Sequence, residues 1–110
     1  MPVPVVSVEE LALALAGPEP LRPVLLDVRT PSEHAYAALP GSLLIPLFEL
    51  EERTDELAPL EGKAVVVYCH HGIRSLDGAA YLLSRGFNAK SLSGGIDRWS
   101  LRVDPTVPRY

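Results

Sequence analysis

A single cysteine, Cys69, directly follows an apolar, β-branched run of the chain. The seven residues that begin with it combine a nucleophile, two imidazoles, a glycine, a permanent cation and a hydroxyl: Cys69, His70, His71, Gly72, Ile73, Arg74 and Ser75. Only the thiolate form of cysteine attacks efficiently, and positive potential around the sulfur favours that form. These residue types at this spacing predict nucleophilic chemistry at Cys69.

Three sources of positive potential are available to this sulfur. A helix that we expect to begin near Ser75 would aim its N-terminal N–H groups at the loop. Successive loop N–H groups can form an anion nest, and Arg74 adds a full charge. Gly72 can adopt a positive φ and let the loop close around Cys69. The same loop would hold the terminal sulfur of a cysteine persulfide, so that one transfer is split into two covalent steps.

Strands and helices are predicted to alternate around this loop. Buried strands are predicted from apolar runs at 24–28, 43–45, 64–68 and 89–92. Helices are predicted at 8–16, from 31 to about 39, at 47–58, at 75–85 and at 96–101. Ser7 and Thr30 are predicted to cap the first two helices, and Phe48 is placed on the inward face of the third. The pattern predicts an α/β domain with a small, mostly parallel central sheet flanked by helices on both faces.

Three segments follow predicted strands and should meet at one edge of the sheet. They are 27–29 (Asp-Val-Arg), the loop from Cys69, and 93–95 (Ser-Gly-Gly). Ligands of parallel sheets bind at the carboxyl ends of the strands. The cysteine therefore falls where an active site is expected.

Composition excludes several classes of function. The net charge is −4 with both signs interspersed, which argues against nucleic-acid binding. No apolar run approaches the roughly 20 residues that span a membrane, and the N-terminus has no signal-peptide pattern. A lone cysteine excludes an intrachain disulfide and cysteine-based metal sites. We expect one cytoplasmic domain over residues 1–110 that is monomeric, with neither a nucleic acid nor a membrane as partner. The eleven prolines and scarce Asn, Gln and Met favour a thermophilic source.

Three motifs carry a resemblance to a known family. The loop matches Cys-x-x-Gly-x-Arg-Ser, residues 27–33 match Asp-Val-Arg followed by Glu, and residues 94–99 match Gly-Gly-x-x-x-Trp. In this order and spacing they resemble the single-domain rhodaneses, a family of sulfurtransferases. Two departures are Ala38, where the family usually has His, and His34, where an aromatic residue is common.

The resemblance implies a reaction at Cys69. A donor such as thiosulfate or a persulfide would give its sulfane sulfur to Cys69, which would pass it to cyanide, a thiol or a protein acceptor. The resemblance implies no metal and no organic cofactor. Because the chain has no second cysteine, its persulfide needs an external acceptor.

The remaining loop residues have more modest predicted roles. The resemblance implies that Arg74 orders the loop and binds rather than catalyses. His70 and His71 are interpreted as solvent-facing residues that could still tune selectivity for anionic donors. Adjacent histidines rarely share one tetrahedral zinc, so no metal site is predicted there.

Asp27 and Arg29 lie at a strand end, where they could bind substrate or support the site. The structural role is preferred. Asp27 would accept N–H bonds from neighbouring loops, and Arg29 would pair with Glu33 one turn away. His34 is expected to be exposed and Trp99 to lie in the core.

Three alternative functions stay open at this point. Phosphatases and arsenate reductases use Cys and Arg separated by five residues, whereas four separate Cys69 from Arg74. A regulatory or docking module without catalysis is disfavoured because Cys69 is retained. A sulfur carrier within a pathway would use the same persulfide, and the sequence does not separate it from a free-standing enzyme.

Overall fold

Five strands form one sheet, and every strand pairing in it is parallel. The computed structural model describes residues 2–110. In chain order the elements are β1 (Val5–Val6), α1 (Val8–Leu15), β2 (Val24–Asp27), α2 (Pro31–Tyr36), β3 (Leu43–Leu44), β4 (Ala64–Tyr68), α3 (Arg74–Ser84), β5 (Asn88–Leu92) and α4 (Gly95–Arg102). The order across the sheet is β1-β5-β4-β2-β3, so the strand that precedes Cys69 is the middle one. The predicted α/β class with a parallel sheet is confirmed.

Alternate residues of the buried strands supply two separate cores. Leu26, Val65 and Val67 pack on one face of the sheet together with Ala79 and Leu82 of α3. The intervening strand residues point the opposite way and pack with α1 and α4; this second core includes Leu25, Val66, Tyr68, Val8, Leu11, Ile96 and Trp99. The period of two that a strand imposes on its side chains therefore places helices on both faces.

Local capping fixes the start of the first two helices. The Glu10 amide donates to Ser7 Oγ and the Ser7 amide donates to Glu10 Oε1, both at 3.0 Å. Thr30 and Glu33 form the same reciprocal pair at α2. A capping box satisfies backbone N–H groups that a helix cannot pair internally, so the predicted starts of α1 and α2 are confirmed.

The predicted α-helix at 47–58 is wrong. The chain instead forms two 3₁₀ segments, Leu47–Glu49 and Thr54–Leu60. Residues three apart eclipse one another in a 3₁₀ turn, so Leu47 and Leu50 both face the core. Phe48 points away from them and is 93% exposed, against the prediction that it faces inward.

Two further findings complete the fold. The two-residue strand β1, which was not predicted, pairs with β5 at the edge of the sheet. Within residues 2–110, no helix combines the length and the apolar character that crossing a membrane requires.

The buried side chain of Tyr68 ties the central strand to the turn before β3. Its hydroxyl accepts the Leu39 amide at 3.1 Å and lies 2.8 Å from Ser42 Oγ. Ser42 Oγ also donates to the Leu39 carbonyl, so the Tyr68 hydroxyl donates to Ser42. Ala38, at the position where the resemblance places a histidine, directly precedes this turn, and Tyr68 holds the turn in place.

Replacing Tyr68 with Phe should lower the free energy of unfolding by about 1–3 kcal/mol, because the buried Leu39 amide loses its acceptor. Urea unfolding followed by circular dichroism measures the change. An unaltered midpoint would mean that the Leu39 amide does not depend on this hydroxyl.

Candidate active site

The sulfur of Cys69 lies at the centre of a loop that turns back over it. The Gly72 amide donates to Sγ at 3.1 Å and the Ser75 amide at 3.3 Å. The hydroxyl of Ser75 lies 3.3 Å from Sγ, and Cys69 as a whole is 1% exposed. Since α3 begins at Arg74, the Ser75 amide belongs to its first turn. The loop and the helix N-terminus thus both direct N–H groups at one sulfur atom.

Backbone conformation makes this path possible. Gly72 has φ +93°, in the left-handed region that glycine adopts most easily. The segment after β5 packs directly against the loop, because the Ile96 amide donates to the Cys69 carbonyl and the Asp97 amide to the His70 carbonyl. Gly95 has φ +62°, and a Cβ there would collide with these same two carbonyl oxygens. The predicted meeting of the cysteine loop with 93–95 is therefore observed.

Arg74 is held by Glu33 rather than directed at the sulfur. Its Nη1 and Nη2 donate to Glu33 Oε1 and Oε2 at 2.7 and 2.9 Å. The bonds from Arg74 hold the pKa of Glu33 well below its ordinary range. This bidentate geometry fixes the guanidinium plane. It therefore favours the predicted loop-ordering role over direct contact with the reacting sulfur.

Asp27 and Arg29 form a buried ion pair at the carboxyl end of β2. Arg29 Nη2 donates to Asp27 Oδ2 at 2.7 Å, Nε donates to Oδ1 at 2.9 Å, and both side chains are fully buried. Arg29 Nη2 also donates to the Ala37 carbonyl at 2.6 Å. The predicted Arg29–Glu33 pair is therefore wrong. Asp27 accepts bonds from the backbone amide and the guanidinium of Arg29, and its Oδ2 lies 2.8 Å from His34 Nδ1. These partners follow Asp27 closely in the chain and do not come from neighbouring loops.

The three histidines differ in their surroundings. His71 is exposed, as expected, with Nδ1 3.9 Å from Asp97 Oδ2. His70 is not solvent-facing: its ring stacks on Tyr110 with the centroids 3.8 Å apart, and burial lowers its pKa. His34 is also not simply exposed, because its Nδ1 lies 2.8 Å from Asp27 Oδ2.

The other predicted residues lie as follows. Ile73 projects from the loop and is 71% exposed, whereas Trp99 lies in the core as predicted. Across residues 2–110, no cluster of three or more His, Cys, Asp or Glu side chains is placed to hold a metal ion.

Sequence reasoning missed two residues that contact the Cys69 loop or its supports. Ser91 of β5 is buried, and its Oγ lies 2.8 Å from Ser75 Oγ. Its hydroxyl falls on the same face of the predicted strand as the apolar Ala89, and that alternation was the available signal. Tyr110 reaches both His70 and Glu33. No local pattern marks it, because its partners lie 40 or more positions earlier.

A sequence model described as "Rhodanese-like domain" matches residues 7–102. The chain belongs to the rhodanese-like family. The residues matched run from the N-cap of α1 to the end of α4 and include the whole Cys69 loop.

Three curated relatives show how this rhodanese-like chain compares with proteins of similar and of greater length. The Rhodanese-like/PpiC domain-containing protein 12, chloroplastic, of Arabidopsis thaliana is 37% identical over 99% of this chain and 38% of its own length. The sulfurtransferase of Allochromatium vinosum is 35% identical over 90% of each chain. The adenylyltransferase and sulfurtransferase MOCS3 of A. thaliana is 37% identical over 79% of this chain and 22% of its own length. The chain thus spans only a minor part of two of these relatives.

Solved structures confirm the rhodanese-like fold. The thiosulfate sulfurtransferase of Pseudomonas aeruginosa superposes with a TM-score of 0.77 and 32% identity, over 90% of this chain and 19% of that one. A rhodanese-related protein from Thermoplasma volcanium gives a TM-score of 0.78 and 28% identity, over 96% and 95%.

Exchanging Gly95 for Ala should destabilise the protein by more than about 3 kcal/mol, because a left-handed residue with a Cβ is strained and this Cβ also meets backbone oxygen. Gly86→Ala is the matched control: its φ is +88°, but its Cβ would have no heavy atom within 4 Å. That control should lose only about 1–2 kcal/mol of strain. Equal losses in urea unfolding would contradict the close approach of Gly95 to the loop.

Glu33→Gln should lower the free energy of unfolding by about 1–3 kcal/mol at pH 7, through loss of charged hydrogen bonds. Because the folded-state pKa of Glu33 is lowered, its contribution is complete above the unfolded-state pKa of about 4.3 and declines as the pH falls below it. The difference in the free energy of unfolding between wild type and Glu33→Gln should therefore become smaller in acid. Exposed Glu52→Gln is the control and should change little. A difference that stays constant from pH 7 to about 2 would contradict the Arg74–Glu33 linkage.

Proposed function

We propose that this chain is a sulfurtransferase that moves a sulfane sulfur from a donor such as thiosulfate to cyanide or a thiol through a persulfide on Cys69. The observation that carries the proposal is the convergence of the Gly72 and Ser75 amides on Sγ. These donors favour a negatively charged sulfur at the loop centre. Membership of the rhodanese-like family supports the same class of reaction.

The proposed first step is attack by the Cys69 thiolate on the outer sulfur of thiosulfate. A new S–S bond forms to Sγ, the S–S bond of thiosulfate breaks, and sulfite leaves with its electron pair. In the second step cyanide or a thiolate attacks the terminal sulfur, and the Cys69 thiolate leaves as the bond to Sγ breaks. Each step is a displacement at sulfur, so electrons balance without an added oxidant or reductant.

The loop dimensions favour sulfur over phosphate. Backbone amides lie 3.1 and 3.3 Å from Sγ itself. Arg74 is the residue that would have to bind phosphate oxygens. Two of its nitrogen atoms already donate hydrogen bonds to Glu33. A phosphatase would need that guanidinium free to stabilise its transferring group.

A protein acceptor is the second candidate function. Relatives that carry both adenylyltransferase and sulfurtransferase in their names match this chain over about a fifth of their length. The loop itself exposes Ile73, an apolar side chain that a protein partner could cover. We infer that a protein thiol is the alternative to a small acceptor.

Incubation with thiosulfate should add one sulfur atom to the intact mass of the protein, and cyanide should remove it. Cys69→Ala is the control and should gain no mass while keeping its circular dichroism spectrum. An unchanged wild-type mass, together with hydrolysis of an aryl phosphate, would instead support the phosphatase alternative.

Small-molecule and protein acceptors can be distinguished by first loading Cys69 with sulfur and then adding cyanide, glutathione or a protein thiol in separate reactions. Fast discharge by cyanide supports the small-molecule enzyme. Discharge only by a protein thiol would favour the carrier.

A further inference from the structure

The hydroxyl of Tyr110 connects two arginines from separate parts of the fold. Arg29 Nη1 donates to Tyr110 Oη at 2.7 Å, and Tyr110 Oη donates to Glu33 Oε2 at 2.7 Å. Glu33 is also the carboxylate that holds Arg74. Donors and acceptors therefore alternate without conflict from the buried Asp27–Arg29 pair to the cysteine loop.

The ring of Tyr110 makes a second, direct contact with the loop. It lies parallel to the ring of His70, with an interplanar angle of 9°. It also forms an edge-to-face pair with Tyr36 of α2, with the centroids 5.8 Å apart. Since His70 follows Cys69 in the chain, Tyr110 touches the start of the loop through His70 and its end through Glu33 and Arg74.

The segment that carries Tyr110 is anchored to the same part of the molecule. Arg109 Nε donates to Asp97 Oδ1 at 2.9 Å. The Asp97 amide in turn donates to the His70 carbonyl. The position of Tyr110 is thus fixed relative to the loop by α4 as well as by its own hydroxyl.

The protonation state of Tyr110 allows both of its hydrogen bonds, to Glu33 and from Arg29. Burial raises the pKa of Tyr110 to about 12. The hydroxyl therefore keeps its proton at neutral pH and can donate to Glu33 while it accepts from Arg29. A phenolate could not donate, and it would repel the carboxylate.

We propose that Tyr110 is a positioning residue of the sulfur-transfer site, which holds both ends of the Cys69 loop so that its amides stay aimed at Sγ. The inference rests on the proposed function at Cys69. It adds a residue that lies outside the loop and outside the span matched by the family model.

Tyr110→Phe tests the hydroxyl while keeping the stacked ring. We expect kcat/KM for transfer from thiosulfate to cyanide to fall by about three- to tenfold, the size of the net contribution of one ordinary hydrogen bond. Tyr36→Phe is the matched control: it removes a neighbouring tyrosine hydroxyl that takes no part in the bonds to Glu33 or Arg29. It should retain wild-type kinetics. All measurements are made well below the thermal midpoint of each variant.

A second measurement does not depend on sulfur transfer. The rate of Cys69 alkylation by iodoacetamide is recorded against pH, because only the thiolate reacts. We expect the profile of Tyr110→Phe to move to higher pH than those of wild type and Tyr36→Phe, since less well aimed amides stabilise the thiolate less. A lower thermal midpoint with an unchanged profile and unchanged kcat/KM would overturn the positioning role and leave Tyr110 merely structural.

The experiments distinguish failure of the proposed sulfur transfer from failure of the proposed role of Tyr110. If the wild type gains no sulfur from thiosulfate, the proposed function fails, whereas the alkylation profile still decides the role of Tyr110. If the wild type is loaded normally and Tyr110→Phe matches it in both measurements, only the inference about Tyr110 is overturned.

Discussion

The convergence of backbone amides on the buried sulfur of Cys69 is the constraint on which the rest of the site depends. A backbone N–H cannot be re-aimed by changing its own side chain, so the path of the loop has to be fixed from outside. Gly72 permits the turn, and the missing side chain of Gly95 lets the segment after β5 lie directly against the loop. The β4 strand supplies a rigid base because it is paired on both sides.

The charged side chains around this site fix the positions of their partners through paired hydrogen bonds. Arg29 and Arg74 are each neutralised by a carboxylate: Arg29 by Asp27 and Arg74 by Glu33. Burying an unpaired guanidinium would be costly, and a paired one contributes little net charge at a distance. The donors in direct contact with the sulfur are oriented amides, one of them in the first turn of α3. Arg74 adds its charge from a position fixed by Glu33 and not by the sulfur.

Local patterns predicted four of the five strands, the caps of the first two helices and the cysteine loop, since each depends on residues that are close in sequence. Pairing at a distance was not predictable in the same way. The expected Arg29–Glu33 pair assumed helical spacing, but Thr30 is the N-cap of α2, so Arg29 lies outside the helix. The sequence likewise contains no signal that brings Tyr110 to Glu33. The helix expected at 47–58 failed because apolar spacing alone does not distinguish an α-helix from 3₁₀ turns anchored by Leu50 and Leu57.

One carboxylate couples the stability of the fold to the order of the loop. Glu33 Oε1 accepts the Thr30 amide that begins α2 and also a bond from Arg74, while Oε2 accepts a second bond from Arg74 and one from Tyr110. Helix α2, the cysteine loop and the segment after α4 therefore share a single anchor. Loss of any one partner leaves the others attached to a less restrained carboxylate, so their effects should not be additive. The geometry around Cys69 is in this sense a property of the folded domain and not of the loop sequence alone.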